Sequence, residues 1–553
     1  MSEPVGDPAP EAAASPASAA STPSERPDEP YAPPESAEEA EAAGRAEAPL
    51  ATTALFAATF VVATCGLVYE LVAGAMGSYL LGDSITQFSL VIGVYLTFMG
   101  VGSYVSRYLK GNLLARFVQV EIAVGLLGGL SALGLLGSYA LLGVVRPLLF
   151  GIVAAIGTLV GLEIPVLMRV LRDELSFSEL VARVLAFDYL GALAASLLFP
   201  LLCVPLLGLT RTAVLFGLFN TGLACVLSLT LKESLGPRAR GLTVQALLAS
   251  GVLVATYVGA NQVTLVFEEQ LYEGTILFHR RSPYQKVVVT RWRDDVRLHL
   301  DGHLQFSSKD EYRYHEALVH PAVAALGTPL RRALVLGGGD GMALRELLRY
   351  PRLEQAVLVD LDPEVTRLFR EEPLLTALNA RSFHDPRVEA INADALSWLE
   401  EHPDVFDLIV IDFPDPRSYS LNKLYTRSFY RLVHRHLAES GALVVQATSP
   451  YLAPHAYWCI ASTIEDAEFT VHPYHAHVPS FGDWGFVLAT PQDRGRPTAL
   501  AAVEGLRFLD AASLGALFSF PADQPRLKLE VNRLHDPVLV GYHETDWRTS
   551  LGE

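Results

Sequence analysis

A succession of apolar runs between residues 50 and 260 constrains the fold of this chain more than any other feature. Each run approaches the roughly 20 residues that a helix needs to cross a bilayer, and Gly and Ala are abundant inside the runs, as close helix packing in lipid requires. The runs cover residues 50–73, 85–108, 117–136, 139–167, 184–207, 212–231 and 242–260. The sequence therefore predicts a membrane domain over residues 49–260 with about seven transmembrane helices.

The residues before these runs have a very different composition. Residues 1–48 consist mainly of Ala, Pro, Ser and Glu, and their acids far outnumber Arg26 and Arg45. Such a segment cannot bury enough apolar surface to offset the entropy of ordering, so we predict a disordered acidic tail. The tail supplies part of the formal net charge of −18.

Basic residues alternate between the loops that join the predicted spans. They follow the second, fourth and sixth spans and are Arg107, Lys110, Arg116, Arg169, Arg172, Arg183, Lys232, Arg238 and Arg240. By the positive-inside rule these loops face the cytoplasm, and seven true spans then place the carboxy-terminal part of the chain outside it. Irregular insertion of one segment would reverse that result, and the long segment 139–167, with Arg146 and Pro147, is the candidate.

After residue 260 the pattern changes to alternating strands and amphipathic helices. Two Val-rich or alternating segments, 287–289 and 296–300, predict a small antiparallel sheet with a turn at Asp301 and Gly302. A helix over residues 310–325 follows, so residues 261–330 form a small β domain with a connecting helix. Regular strand and helix alternation over residues 331–500 predicts an α/β, Rossmann-like domain of the methyltransferase type. Residues 501–553 are a carboxy-terminal extension.

A glycine turn at residues 337–341 follows the first strand of the α/β domain, and Asp360 ends the second strand about 20 residues later. Glycine lets a ligand approach the backbone closely, and an acid at that distance can hold a ribose. This pattern predicts a nucleoside-binding crevice. It is shared by binders of NAD, FAD and S-adenosylmethionine, so it indicates a fold and not a reaction.

Acids recur at the ends of consecutive strands. They are Asp340, Asp360, Asp394 and Asp412, with Asp415 three residues further on. A single acid at such a place is often a helix cap or a turn residue, but four consecutive strands argue against that explanation for all of them. An acid-lined crevice beside a nucleoside site suits a positively charged nucleoside and a positively charged co-substrate.

A set of separated motifs resembles spermidine synthase, a polyamine aminopropyltransferase, over about residues 277–489. The motifs are Pro283-Tyr284-Gln285, Leu300-Asp301-Gly302, Gln305, residues 310–316 with Tyr314 and His315, the glycine turn, Asp394, and Asp412-Phe413-Pro414-Asp415-Pro416. The membrane half resembles the integral-membrane branch of that family. The order of the motifs makes the resemblance more specific than the glycine turn alone.

The resemblance implies an enzyme that moves the aminopropyl group of decarboxylated S-adenosylmethionine to putrescine or a related amine. The products are a spermidine-like polyamine and methylthioadenosine, and no cofactor is needed besides this co-substrate. The implied partners are the polyamine, the lipid bilayer and, optionally, a second copy in a homodimer, with no nucleic acid. The implied location is the inner membrane of the cell, multi-pass, with the catalytic domain on the cytoplasmic face, where the donor is made.

The resemblance also implies residue roles. Asp412 is the catalytic proton acceptor. The donor-binding residues are Gln285, Asp340, Asp360, Asp394 and Ala395, and the amine-binding residues are Tyr314, His315, Asp340, Asp412 and Asp415. An alkyl ammonium has a pKa near that of Lys, about 10.4, so the attacking nitrogen must lose a proton, and a carboxylate can accept it.

The sequence departs from the family pattern at three places. Phe413 and Pro414 stand where hydroxyl residues are usual, Phe481 stands where a tyrosine is expected, and Asp360 stands where Glu is common. Phenylalanine can pack against a methylene chain but cannot donate a hydrogen bond to an amine. The proposed base is retained.

Other interpretations stay open at this level. Glu70, Glu121, Glu163 and Asp188 lie within or at the edges of spans, where charge is costly and usually functional. They permit a membrane protein that binds or transports polyamine, with the soluble domain as its sensor. A methyltransferase that uses S-adenosylmethionine on the same sheet is the other alternative. His472, His475 and His477 lack accompanying ligands, so no metal site is predicted.

Overall fold

The computed structural model describes residues 50–81, 84–141, 143–172, 176–269, 272 and 274–551. The predicted acidic tail, residues 1–48, lies outside the described residues.

Long apolar helices make up the first part of the described chain. They are α1 Leu50–Leu81, α2 Ser84–Ser106, α3 Leu113–Leu141, α4 Val145–Leu171, α5 Phe177–Leu198, α6 Val204–Thr230, the short α7 Lys232–Leu235, and α8 Arg238–Glu269. In the described residues, six segments are long and apolar enough to cross a membrane, and Phe177–Thr230 counts as one segment of 54 residues.

The 54-residue segment is interrupted near its middle. A π turn, Phe199–Cys203, joins α5 to α6, and Gly208 inside α6 has a non-helical backbone with φ +73°. An uninterrupted helix of that length would extend about 80 Å, more than twice the thickness of a bilayer core. Gly208 falls between the predicted spans 184–207 and 212–231, whereas the π turn lies inside the first of them.

Most of the segment proposed for irregular insertion, 139–167, belongs to one helix, α4, and its first residues end α3. α4 runs without a break through 27 residues, and Arg146 and Pro147 lie in its first turn instead of its centre. Proline is tolerated there because the first N–H groups of a helix have no intrahelical acceptor. The prediction that Arg146 and Pro147 lie in the middle of a span is therefore wrong, whereas the insertion of this segment in a bilayer stays a prediction.

The basic loops meet at one end of the helical domain. Arg169, in the last turn of α4, donates to the backbone carbonyls of Ser106 and Leu109 at 2.8 and 3.0 Å. Asn112 donates to the carbonyl of Ser234 at 2.9 Å. The loops after α2, α4 and α6 therefore lie together.

The opposite end of the helical domain contacts the rest of the chain. The Lys286 ammonium donates to the Tyr79 hydroxyl at 3.0 Å, close to the end of α1. A guanidinium nitrogen of Arg281 lies 3.7 Å from the position that a Cβ on Gly208 would occupy. The α/β part of the chain therefore adjoins the end of the helical domain that is remote from the basic loops.

A four-stranded antiparallel sheet follows the helices, in the order β1-β2-β3-β4. Its strands are β1 Thr275–Arg281, β2 Lys286–Trp292, β3 Asp295–Leu300 and β4 His303–Ser307. Asp301 and Gly302 join β3 to β4 with φ values of +49° and +85°, as a tight hairpin turn of the primed type requires. The predicted small sheet is confirmed.

A seven-stranded sheet forms the centre of the α/β domain, in the order β10-β11-β9-β8-β5-β6-β7. Its strands are β5 Arg332–Gly337, β6 Gln355–Asp360, β7 Val388–Asn392, β8 Phe406–Asp412, β9 Leu437–Gln446, β10 Thr470–Val478 and β11 Gly482–Thr490. β5 to β9 pair in parallel, and β11 and β10 continue the sheet antiparallel. The predicted Rossmann-like fold is confirmed.

Helices cover both faces of this sheet. They are α9 Glu311–Ala324, α10 Met342–Leu347, α11 Pro363–Glu371, α12 Pro373–Leu378, α13 Ala395–Glu401, α14 Tyr419–Asn422, α15 Arg427–Arg435, α16 Pro454–Asp466, α17 Ala511–Leu517 and α18 Val538–Leu551. Successive β5 residues belong to different apolar clusters, Val335 to one and Leu336 to the other. Strand order reverses between β5 and β8, and a crevice opens beyond the carboxyl ends of the strands at such a point.

Candidate active site

The glycine turn after β5 brings backbone and carboxylates into close approach. Gly337 has φ +82°, and a Cβ there would lie 2.3 Å from the backbone oxygen of Asp412. A Cβ on Gly339 would lie 2.8 Å from the carboxyl carbon of Asp360. Any larger residue at either position would push an acid-bearing strand away, so glycine is required for this geometry.

Asp360, at the end of β6, holds the glycine turn. Its two carboxylate oxygens accept hydrogen bonds from the backbone N–H of Gly339, at 3.0 Å, and of Asp362, at 2.8 Å. Burial raises the pKa of Asp360 to about 6, against the opposing effect of these two N–H donors. Each oxygen keeps a second lone pair for a ligand hydroxyl.

Asp362 is a structural member of the site that sequence reasoning missed. It is the N-cap of α11, and its Oδ2 accepts from the Ser282 hydroxyl at 2.8 Å and from the Gln285 amide at 3.0 Å. Gln285 is thereby tied to the end of β6 from the small sheet. An acid directly before Pro363 is a recognisable helix start, but that signal says nothing about Gln285.

Asp394 and Ala395 begin α13 on the far side of Asp360. One Asp394 oxygen accepts from the backbone N–H of Leu396 and Ser397, and the other is 2.6 Å from the Lys423 ammonium. Burial raises the pKa of Asp394, but Lys423 and the cap hydrogen bonds outweigh it, and the net shift is downward. The structure therefore gives Asp394 a helix-capping role, whatever it binds besides.

Asp412, at the end of β8, is held on one side only. The Tyr314 hydroxyl donates to Oδ1 at 2.5 Å. Oδ2 has no hydrogen-bond donor in the described part of the chain and lies 3.3 Å from the position of a Cβ on Gly338. Burial raises the pKa of Asp412 to about 6; the charge of His315 and the Tyr314 hydrogen bond oppose the shift, and the charge of Asp340 adds to it.

His315 is fixed by a network that includes two residues missed from the sequence. Its Nδ1 is 2.9 Å from Glu311 Oε2, and Arg345 pairs with both Glu311 oxygens at 2.8 and 2.9 Å. Burial lowers the pKa of His315, but the hydrogen bond and charge of Glu311 outweigh it, so the net shift is upward. Glu311 and His315 are four residues apart in α9, a spacing that places both on one helix face.

Asp340 lies inside the glycine turn beside His315. Its Oδ1 accepts from the backbone N–H of Met342 at 2.8 Å. Burial is the main reason that the pKa of Asp340 is raised, and the charge of His315 opposes this shift. Asp340 thus lies between the Asp360 and Asp412 sides of the crevice. Its negative charge contributes to the raised pKa of both Asp360 and Asp412.

Asp415 is buried, and its carboxylate makes longer contacts than those of Asp360 and Asp412. Its carboxylate lies 3.4 Å from the Thr448 hydroxyl, 3.5 Å from Arg417 and 3.6 Å from His543. Burial raises its pKa, but His543 and Arg417 outweigh that effect, so the net shift is downward. His543 belongs to α18 in the carboxy-terminal extension, and no local sequence signal pairs it with Asp415.

Two of the residues that depart from the family pattern, Phe413 and Phe481, pack against aromatic rings. The Phe413 ring packs at 6.4 Å from Tyr425 and 6.0 Å from Phe429, so it belongs to the core below the sheet end. Phe481 lies 6.2 Å from the Tyr314 ring. Aromatic packing therefore takes the place of the hydroxyl groups that are usual at positions 413 and 481. Phe481 lies on the Asp412 side of the crevice, because it packs against Tyr314, which contacts Asp412.

The structure thus brings together Tyr314, His315, Asp340 and Asp412 around one point at the strand ends, with Asp360 on the other side of the glycine turn. Asp415 lies three residues beyond Asp412. Gln285 reaches the site through Asp362, and Asp394 and Ala395 adjoin Asp360 through the N–H of Ala393, which donates to the Asp360 carbonyl at 3.1 Å. A half-buried carboxylate with one open oxygen, surrounded by further acids, can accept a proton from a bound cation.

Comparison with known proteins agrees with this geometry. The profile of the spermine/spermidine synthase domain family matches residues 311–498. Polyamine aminopropyltransferase 2 of Ralstonia nicotianae is 52% identical over 505 residues, which cover 90% of this chain and 98% of the relative. The polyamine aminopropyltransferase of Leptospira interrogans is 46% identical, over 90% of this chain and 99% of the relative. This chain belongs to the polyamine aminopropyltransferase family of enzymes.

The family match contains most of the crevice, from Glu311 to Asp415, and excludes Gln285. Similarity to the Ralstonia relative covers 90% of the chain, so it extends through most of the helical domain as well. A crystal structure of spermidine synthase in complex with the transition-state analogue AdoDATO aligns over 45% of this chain and 86% of that chain, at 24% identity and a TM-score of 0.41.

Proposed function

We propose that this chain transfers the aminopropyl group of decarboxylated S-adenosylmethionine to putrescine or a related amine. The observation that carries the proposal is the Asp412 carboxylate, whose Oδ1 is held by Tyr314 at 2.5 Å while Oδ2 stays open to the crevice. Its pKa of about 6 leaves it ionised at neutral pH and basic enough to accept a proton.

The reaction needs one proton acceptor and no redox partner. Asp412 takes a proton from the amine, the freed nitrogen lone pair forms a bond to the terminal aminopropyl carbon, and the bond from that carbon to the sulfonium breaks. The sulfur keeps the bonding electrons, so methylthioadenosine leaves as a neutral thioether. The proton on Asp412 passes to solvent before the next turnover.

The nucleoside is assigned to the Asp360 side of the crevice. Asp360 would accept from ribose hydroxyls with its remaining lone pairs, and the glycine turn leaves space beside it. Gln285, held through Asp362, and Asp394 with Ala395 would border the nucleoside on either side. Asp340 lies between the two halves and would face the aminopropyl ammonium.

The amine is assigned to the Asp412 side. Asp415 would bind the distant ammonium of a diamine, and Tyr314 and Phe481 would line its methylene chain. His315, fixed by Glu311, would help to orient the acids around the attacking nitrogen. Positioning of this kind accounts for much of the rate of a displacement reaction.

One assay separates this function from the alternatives. The purified full-length protein is incubated with putrescine and either decarboxylated S-adenosylmethionine or S-adenosylmethionine. Release of methylthioadenosine with the first donor supports aminopropyl transfer. A methylated product with the second donor would support the methyltransferase, and binding of amine without either reaction would support a polyamine sensor or transporter.

We also propose that the helical domain lies in the cell membrane, because its apolar helices have the required length and hydropathy. The loops after α2, α4 and α6 carry most of its basic residues and lie remote from the α/β domain. The positive-inside rule makes the basic end cytoplasmic, so the catalytic domain would lie outside the cytoplasm. The cytoplasmic prediction, which needs one segment to insert irregularly, stays the alternative to this proposal.

A further inference from the structure

Two glutamates face each other inside the helical domain. Glu121 of α3 is 0% exposed and Glu163 of α4 is 2% exposed. Their carboxyl groups are within hydrogen-bonding reach of each other, and neither oxygen of Glu121 has a donor elsewhere in the described part of the chain. The charged groups that act on Glu163 are further acids, Glu121 and Asp188. The pair therefore places several hydrogen-bond acceptor oxygens close together in a buried position.

Neutral polar side chains around this pair also lack partners. Tyr69 of α1 is 1% exposed, lies close enough to both glutamates for their charges to act on it, and its hydroxyl has no partner among the described residues. Asn220 of α6 is 0% exposed, and both atoms of its amide are unpartnered within the same residues. Its Cβ lies 3.1 Å from the position of a Cβ on Gly125, one helical turn from Glu121. Buried polar atoms without partners are rare, and a bound water or a bound ion is a common explanation for them.

A small cavity adjoins the pair. It has a volume of about 30 Å³ and is lined by Glu163 and Asp188, with Val62, Met99 and Phe117 among its apolar walls. That volume matches one water-sized group, whose share of liquid volume is about 30 Å³. A single ammonium group has similar dimensions.

The chemistry of the cavity selects the ligand. Buried carboxyl groups without a basic partner are stabilised either by a proton that they share or by a bound cation, and their remaining acceptor oxygens need N–H or O–H donors. A primary ammonium supplies one charge and three such donors, as the Lys head group does. In the described residues no three His, Cys, Asp or Glu side chains converge as metal ligands, so the arrangement suits a hydrogen-bonding cation better than a metal ion.

We propose that the pair Glu121 and Glu163 forms a second cation site in the helical domain, beside the cavity that Glu163 and Asp188 line, and that this site binds a primary ammonium group. The group belongs either to a protonated amine or to the ammonium ion. This site is separate from the crevice of Asp412 and does not depend on the reaction assigned there.

Equilibrium dialysis tests the proposal on the full-length protein in lipid nanodiscs. Radiolabelled putrescine is the probe, the aminopropyl donor is absent, and the number of amine molecules bound per chain is measured. Wild type is expected to bind two amines, and Glu163→Gln one. Glu233→Gln is the matched control, because it removes an equal charge from an exposed position in α7 and should keep both sites.

Competition identifies the source of the ammonium group. Displacement of the second putrescine by methylammonium or ammonium chloride, but not by sodium chloride, supports the site. Stronger displacement by ammonium than by methylammonium would make the ammonium ion the ligand, and the reverse order would make it an amine. Displacement by sodium alone would overturn the proposal in favour of a metal ion.

Aminopropyl transfer is measured on the same preparations. Unchanged transfer by Glu163→Gln with one amine fewer bound supports the second site, whereas unchanged transfer with both amines bound overturns it and leaves the catalytic proposal intact. If Glu163→Gln fails to fold, Glu121→Gln replaces it, since its amide can still donate to Glu163. The difference between wild type and Glu163→Gln decides the outcome: equal numbers of bound amines in the two proteins overturn the proposal, whatever the total.

Discussion

The hydroxyl of Tyr314 donates to Oδ1 of Asp412 at 2.5 Å, across 98 residues of sequence. This contact joins α9 to the end of β8 and turns the second carboxylate oxygen towards Gly338. One residue thus both orients the proposed base and lowers its pKa, against the larger upward effect of burial.

Replacement of the base gives the most direct prediction. Asp412→Asn keeps the shape of the side chain but cannot accept a proton, so we expect kcat to fall by about 10²- to 10⁴-fold. Binding of methylthioadenosine, measured by calorimetry, should stay unchanged. Asp404→Asn, which changes an acid of the surface pair with Arg332, is the control. Near-normal turnover would remove Asp412 from the role of base.

The Tyr314 contact predicts a change in pH dependence. Asp412 must be ionised to act, so kcat/KM should fall as the pH drops through its pKa of about 6. The Tyr314 hydrogen bond lowers that pKa, and its removal in Tyr314→Phe should move the acid limb of the pH profile to higher pH. The exposed Tyr419 provides the control Tyr419→Phe. Coincident acid limbs in both variants and wild type would contradict this assignment.

Asp360 should control donor affinity. A hydrogen bond to a charged group contributes about 1.5–3 kcal/mol, so Asp360→Ala is expected to raise the Kd of the donor by about 10- to 100-fold. The loss of its bonds to Gly339 and Asp362 acts in the same direction, because the glycine turn loosens. An unchanged donor Kd in calorimetry would place the nucleoside elsewhere.

The Glu311 network predicts a stability effect. Glu311→Gln leaves the Arg345 guanidinium with one charged partner, Glu346. Loss of a buried pair costs about 3 kcal/mol, which corresponds to a Tm lower by about 6–12 °C. Glu311 also pairs with His315 and raises the pKa of His315. The stabilisation from the Glu311 and His315 pair is therefore present at low pH and is lost as the pH rises through the raised His315 pKa. The Tm deficit of Glu311→Gln should therefore shrink at alkaline pH. A deficit that is constant with pH would show that the pair contributes no proton-linked stability.

Sidedness is open to a fusion experiment. Alkaline phosphatase, which is active only outside the cytoplasm, is fused after Glu553, and a second fusion is made in the loop after α6, near Glu233. We expect activity in intact cells from the first fusion and none from the second, because the basic loops lie at the other end of the helical domain. The reverse result would return the catalytic domain to the cytoplasm.

The sequence by itself determined the order of the elements and the location of the crevice. Three local properties carry this information: the length of the apolar runs, the periodicity of strands and helices, and the glycines of the turn after β5. Each depends on burial or backbone freedom within a few residues. Parallel pairing then brings the residues that end β5, β6 and β8 to one sheet edge, so Asp340, Asp360 and Asp412 could be expected together.

Only the tertiary structure decided which side chains pair across the crevice. Four contacts in the crevice join distant segments of the chain. They are those of Tyr314 with Asp412, Arg345 with Glu311, Gln285 with Asp362, and His543 with Asp415. Which acid stays open, and which is used as a helix cap like Asp394, depends on these contacts. Hydrogen bonding and burial at a given carboxylate are set by neighbours from other elements, and no local pattern in the sequence encodes their distance or direction.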